Sequence, residues 1–168
     1  DSVKENMTST EAIEKLKELA EKCRTSIFIT GLTELPLQSR PMSLQSVNEK
    51  GELVYISSSE SEKNKAIARD SRVHLYFQNN SNSEFLSVYG QCSIHTDKAT
   101  IDEYWTDFAK AWFTGKDDPT ITILKVKPVD CYYWDNKSGK TIAFLKMAIA
   151  AFTPLEMNDD GIEGKLKI

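Results

Sequence analysis

The chain has 168 residues, 40% of them hydrophobic and 10% aromatic, with a formal net charge of −4; this fits one domain with room for a real core. The acidic balance argues against broad nucleic-acid binding, because no face can be strongly basic without a still more acidic remainder. No apolar run approaches the ~20 residues needed to span a bilayer; the nearest, IAFLKMAIAAF, is short and carries Lys146.

The opening DSVKENMTST is polar and acidic and does not read as a signal peptide; residues 1–8 are expected to be flexible. Cys23, Cys92 and Cys131 are odd in number and far apart. They suit buried thiols of a cytoplasmic protein better than a disulfide frame or a metal site. His74 and His95 fall in separate predicted strands without a ligand-spaced companion, so no metal site is expected.

In chain order, residues 8–23 predict the clearest helix. Ser9 or Thr10 can cap it, and Ile13, Leu16, Leu19, Ala20 and Cys23 make an apolar stripe. SIFITGL (26–32) is β-branched and predicts a strand. From Ser39 to Lys65 the pattern is strand, turn, strand and a Ser/Lys-rich loop opening a helix. Alternation through Met42, Leu44 and Ser46 breaks at Asn48–Gly51 and resumes through Leu53 and Tyr55, a hairpin signal. A short helix around Glu62–Asp70 precedes a strand at 72–79, in which Val73, Leu75 and Phe77 share one face and His74 the polar one. The turn cluster Asn79–Ser83 makes that strand an antiparallel partner of 84–96, where Gly90 suggests a bulge or barrel corner.

Residues 97–113 open on an Asp cap and predict one helix, with Ile101, Tyr104, Trp105, Phe108 and Trp112 at spacings of three and four. Such a stripe is more often core than cofactor contact, Trp112 and Phe113 beside the Gly turn being the exceptions. Asp117-Asp118-Pro119 reads as a helix stop and strand entry, since two carboxylates are too few for a metal ion. Two strands follow, TITILKVKP and VDCYYWDN, with Pro128 at their junction. Residues 140–153 favour a helix, and the tail from 158 to 168 is charged and can end in an edge strand. The whole predicts a single, mainly β (α+β) domain over 1–168. Six or seven antiparallel strands form a barrel, with three or four peripheral helices.

The residues with most chemistry are Ser57, Ser58, Ser59, Ser61, Lys63 and Lys65. Hydroxyls, ammonium groups and free N–H groups at a helix start suit a phosphate; the same residues also suit a solvated turn with a serine N-cap.

An arginine on a first strand, a hairpin and a Ser-x-Lys loop opening a helix resemble the FMN-binding split barrels, the family of pyridoxamine 5'-phosphate oxidase. The resemblance places Arg40, Ser57 or Ser58, Ser61 and Lys63 on an FMN phosphate, with Glu62 where the oxidase has a loop arginine. It lays the isoalloxazine along Arg40, Pro41, Met42 and Ser43. Pro128 through Trp134 matches the spacing of an oxidase strand whose tryptophan packs near the flavin. Trp112-Phe113, the Gly115 turn, Asp117-Asp118-Pro119 and Tyr133-Trp134-Asp135 are similar to the bacterial general stress proteins of this fold. The resemblance implies a cytoplasmic homodimer with FMN at the subunit interface, where Trp112, Phe113 and Trp134 can reach a neighbour's flavin. Lys140, Ile142 and Phe144 stand where the oxidase has its substrate-orienting residues, and Phe85 replaces a flavin-contacting glutamine. An apolar replacement leaves a substrate phosphate unpaired. The cofactor is therefore carried over and the oxidase's substrate rejected. No catalytic side chain is singled out, although Tyr89, Tyr132 and Tyr133 lie on strands that the resemblance brings near the ring. A flavin-dependent oxidoreductase, a non-catalytic flavin carrier or sensor, and a split barrel for a deazaflavin or haem remain the competing readings.

Overall fold

The computed structural model describes residues 3–4, 7–136 and 161–168. Its main elements are α1 (Ser9–Cys23), β3 (Thr25–Thr30), β4 (Gln38–Ser43), β6 (Leu53–Ser58), α2 (Glu62–Arg69), β7 (Arg72–Asn79), β8 (Glu84–His95), α3 (Lys98–Tyr104), β9 (Ile121–Asn136) and β10 (Gly161–Lys167). Three two-residue strands complete the set: β1 (Val3–Lys4), β2 (Met7–Thr8) and β5 (Ser46–Val47). Those three are the excess over the six or seven strands expected. β1 and β2, in the stretch expected to be flexible, lie parallel to β10. The predicted helix at 140–153 and the positions Lys140, Ile142 and Phe144 lie outside the described residues.

The sheet runs β1-β10-β9-β8-β7-β3-β4, with β6 branching from β9 and carrying β5. All the longer strands pair antiparallel. β9 organises the curl. β8 follows one edge of β9, while the other edge pairs with β6 over Ile121–Val126 and with β10 over Cys131–Asn136. Two strands sharing one edge in turn must diverge, and this splits the barrel. The changeover sits at Pro128, which has no N–H for a ladder, and at the register shift opposite Tyr89 and Gly90. A Cβ on Gly90 would stand 2.5 Å from the Lys127 carbonyl oxygen, so only glycine permits this approach. The two strands expected on either side of Pro128 are therefore one bulged strand.

The barrel is filled from both sides of the sheet fold. Leu16 and Leu19 of α1, Phe28, Tyr55, Leu75, Phe77, Leu86 and Tyr133 are buried together, each large side chain contributing roughly 1.5–3 kcal/mol by leaving water. Ala12, not Ile13, lies in the centre of the α1 stripe; Ile13 is half-buried. The Tyr55 and Ser26 hydroxyls satisfy each other inside this core at 2.8 Å.

Two further expectations change in ways that shape the site. The strand predicted to run unbroken into the Asn48–Gly51 turn bends after Ser43. β4 pairs back onto β3, whereas β5 pairs onto β6. The Arg24 guanidinium donates to the carbonyls of Leu44 and Gln45, both at 3.2 Å, and holds the corner. Asn48–Gly51 does form the predicted turn, with Gly51 at φ +81°. The helix predicted over 97–113 stops at Tyr104. Trp105 and Thr106 are extended, and a 3₁₀ turn follows at Asp107–Ala111. Neither residue favours a helix interior, and the interruption rotates the stripe. Ala109 and Phe113 turn into a second small core with Val54, Ile101, Ile121 and Ile123, leaving Phe108 85% and Trp112 77% exposed.

Candidate functional site

The parting of β4 from β6 opens a cavity of about 420 Å³, within the range of small-molecule sites. One wall is Pro41, Met42 and Ser43 on β4, continued by Gln45 at the corner. The facing wall is Ile56, Ser57 and Ser58 on β6. Ser61 and Lys63 at the start of α2 close one end, and Ala109, Trp112 and Phe113 of the rotated 3₁₀ segment cover the side.

Ser61 caps α2 with extended backbone (φ −70°, ψ 147°), accepting from the Asn64 N–H at 3.2 Å. That cap places Lys63 in the first turn, where it is buried. Its ammonium donates to the Ser57 hydroxyl and, at 3.3 Å, to the Ser61 hydroxyl. Burial, reinforced by the Arg40 charge, lowers the Lys63 pKa from 10.5 to about 8. Among the described residues Lys63 makes no ion pair. A buried ammonium with hydroxyls beside it and no carboxylate lacks half of its charge compensation. That deficiency fits an anionic group in the cavity, and a phosphate supplies the needed acceptor oxygens.

Of the residues expected on FMN, Pro41, Met42, Ser43, Ser57, Ser58, Ser61, Lys63, Trp112 and Phe113 line this one cavity. Arg40 does not. Its guanidinium turns to Thr30 Oγ1 (2.8 Å), the Phe28 carbonyl (3.1 Å) and the Gln38 carbonyl (3.4 Å), bracing β3 against β4. Its influence on the cavity is electrostatic, through Lys63. Trp134 is also absent. It pairs in register with Phe85 and Glu163 at the far end of β9, 40% exposed. Thr122, beside the cavity, is twelve residues earlier on the strand, about 40 Å of extended chain at ~3.3 Å per residue.

The tyrosines considered for the ring are likewise elsewhere. Tyr132 donates to Glu163 at 2.8 Å, Tyr133 is buried, and Tyr89 lies beside His74 on the outer face of β7 and β8. Asp118 is a turn brace that accepts from the Thr114 and Thr120 N–H groups at 3.1 and 2.9 Å, which pull its carboxyl down to about 2. No cluster of three His, Cys, Asp or Glu able to hold a metal occurs among the described residues, and no described helix is long and apolar enough to cross a membrane.

Sequence reasoning missed Gln45, Ile56 and Ala109 of the lining, and Asn64 and Thr122 behind it. Asn64 is 4% and Thr122 1% exposed. The signal available for Asn64 was a polar residue next to Lys63 on the face of α2 that also carries Ile67.

Comparison with known proteins agrees with this architecture. The profile of the family described as "Pyridoxamine 5'-phosphate oxidase like" matches residues 11–158. The chain is 29% identical over 107 residues to Protein bli-3 of Neurospora crassa, covering 58% of this chain and 51% of that protein. It is 30% identical over 77 residues to General stress protein 26 of Bacillus subtilis, covering 44% of this chain and 55% of that protein. The chain thus spans about half the length of the curated relatives it matches. Among solved structures, a putative general stress protein 26 from Jannaschia sp. CCS1 superposes with a TM-score of 0.73 at 20% identity, covering 95% of this chain and 96% of that one. A general stress FMN/FAD binding protein from Xanthomonas citri superposes with a TM-score of 0.65 at 25% identity, covering 77% of this chain and 92% of that one. The curled antiparallel sheet is the split-barrel fold of these proteins.

Proposed function

Because the chain belongs to the pyridoxamine 5'-phosphate oxidase-like family, we propose that it binds FMN in the β4–β6 cavity and acts as a flavin-dependent oxidoreductase on a small molecule in a stress response. The observation that carries the reading is Lys63, a buried ammonium in the cavity with hydroxyl partners and no counter-ion among the described residues. Lys63 and Ser58 would hold the phosphate, while Ser57 and Ser61 accept from the Lys63 ammonium and keep it in place. The β4 backbone at Pro41–Ser43 would address the ring's polar edge, and Met42, Trp112 and Phe113 would exclude water from its faces. The flavin supplies hydride or electron transfer, while the protein binds and orients it.

The substrate of the oxidase itself is not proposed. Phe85 and the sequence positions Ile142 and Phe144 lack the polar and cationic groups that a vitamin phosphate needs, and Lys140 alone supplies a charge there. Trp134 reaches a flavin only from a second copy, so we read the protein as a homodimer with FMN at the subunit interface. Three free cysteines support a cytoplasmic location. A carrier or sensor without turnover is the second reading. It is favoured by the cavity's chemistry, since the lining holds no carboxylate or histidine to move a proton.

The test is an FMN titration by absorbance and fluorescence, repeated under nitrogen with NADH or NADPH. Binding with bleaching of the visible flavin band supports the oxidoreductase, and binding without bleaching supports the carrier. Absence of binding overturns both.

A further inference from the structure

From the cavity wall inward, the side chains of Ser57, Ser61, Asn64 and Thr122 form a hydrogen-bond chain whose direction is fixed throughout. Thr122 Oγ1 lies 2.7 Å from the Ser57 carbonyl oxygen. A carbonyl can only accept, so the single Thr122 proton goes there. Thr122 must then accept from Asn64, and it does, from Nδ2 at 2.8 Å. That fixes the Asn64 amide with Oδ1 toward the serines, accepting from Ser57 Oγ at 2.6 Å and from Ser61 Oγ at 3.0 Å. Both serine protons are thereby committed, and only lone pairs remain on the Lys63 side. The Lys63 ammonium donates into both. It has three N–H donors, and among the described residues no other hydrogen bond is made by its Nζ.

We propose that Asn64 and Thr122 are the positioning residues of the cradle: they make Ser57 and Ser61 acceptors, fix Lys63 at the cavity end, and leave its remaining N–H for an acceptor-only ligand group such as a phosphate. The inference rests on the phosphate reading of the site and gives it a specificity device. A mirrored chain, with Nδ2 toward the serines, would turn the hydroxyl protons toward the ammonium and expel it. Asn64 and Thr122 themselves lie outside the cavity lining, so they act through Ser57, Ser61 and Lys63.

Two substitutions separate orientation from simple packing. Asn64→Asp keeps acceptors toward the serines but adds a negative charge behind Lys63, an internal counter-ion competing with the ligand. Thr122→Val adds no charge and removes the acceptor that fixes the Asn64 amide. The readout is the affinity for FMN relative to riboflavin, which lacks only the phosphate, measured for the full chain between pH 7 and 10. The charged and titratable groups facing Lys63 are Arg40 from β4 and Cys92 from β8, and neither is altered by these changes.

The wild type should prefer FMN, with the preference declining above pH about 8. Asn64→Asp should reduce the preference by about tenfold or more, the effect of a nearby opposite charge, and move the decline to higher pH. Thr122→Val should reduce the preference by roughly three- to tenfold, as for one misdirected hydrogen bond. Riboflavin affinity in both should stay within about twofold of wild type, which also reports a folded cavity. If the wild type prefers FMN and both variants keep the same preference and pH profile, the positioning role is overturned while the phosphate reading stands. Equal loss of FMN and riboflavin binding overturns the positioning role in favour of packing. A wild type that binds FMN and riboflavin equally overturns the phosphate reading and the inference with it.

Discussion

Replacing Lys63 by methionine should weaken the site and strengthen the fold, and the two effects have the same origin. In the free protein the ammonium is buried beside Arg40, with only hydroxyl oxygens for compensation, and its pKa falls from 10.5 to about 8. At full expression that difference corresponds to about 3 kcal/mol of disfavoured charging; screening through the open cavity reduces it to about 2 kcal/mol. The folded-state pKa lies below the unfolded one, so between pH about 8 and 10.5 the unfolded chain binds more protons than the folded one. The Lys63 contribution to unfolding free energy should therefore rise with pH across that window, and the charged lysine is a burden at pH 7. Above pH about 9 it runs against the opposite contribution of Cys23, Cys92 and Cys131, whose thiols burial pushes up. Methionine has similar length and no charge. Urea unfolding of the ligand-free proteins should show Lys63→Met at least as stable as wild type at pH 7, with its advantage over wild type shrinking toward pH 10. FMN binding should instead fall by about 1.5–3 kcal/mol, the range for hydrogen bonds to a charged group, or roughly 10- to 150-fold in Kd. A folded variant that binds FMN as tightly as wild type refutes the cradle. A stability difference between variant and wild type that stays constant from pH 7 to 10 refutes the assignment of that titration to Lys63.

Trp112→Ala opens the side of the cavity and should change the fluorescence of bound FMN at every protein concentration, with affinity down by about 0.5–1.5 kcal/mol if the ring packs on it. Trp134→Ala should alter the same signal only where a second copy is present; a change that survives dilution to monomer argues against the proposed dimer site. Gly90→Ala forces a Cβ to 2.5 Å from the Lys127 carbonyl and should cost about 1–3 kcal/mol, seen as a Tm lower by roughly 2–12 °C in a chain of this size. An unchanged Tm would mean that the bulge relaxes freely.

Local rules read the strands and the ends of elements well, because alternation and caps are properties of neighbouring residues. Ser61 and Asp97 cap α2 and α3 with their side chains, and Val73, Leu75 and Phe77 face inward. What the chain conceals is partner choice. Nothing in Met42–Val47 announces that β4 leaves for β3 while β5 joins β6; the corner is made by Arg24, twenty residues away from Leu44. The break at Trp105-Thr106 is equally hidden, since the apolar spacing continues through it and only burial in the second core selects Ala109 and Phe113 over Phe108 and Trp112. Most of the cavity lining was legible from a family resemblance, but the same resemblance brought Arg40 into direct contact, and here its Nη1 is turned to β3 carbonyl and hydroxyl acceptors. Asn64 and Thr122 were out of reach for a different reason: their role depends on the direction of hydrogen bonds across fifty-eight residues of sequence.

Cavity and cradle have one cause. Strand β9 is long enough to serve β6 and β10 in turn, so the sheet parts, and the part opens beside the first turn of α2, where Ser61 and Lys63 line it. A sequence selected for stability alone would fill that opening with an apolar side chain and dispense with the ammonium, since replacing a buried charge by a well-packed hydrophobe is often neutral or stabilising. Here the chain keeps the charge, aligns two serines, an asparagine and a threonine to hold it, and supplies no carboxylate from the described residues. The compensation then has to come from the ligand. An anion that binds only the folded state restores the missing interaction by mass action, about 2.7 kcal/mol at a concentration one hundred times its Kd. Occupancy of the cavity and stability of the barrel are thus coupled through one side chain.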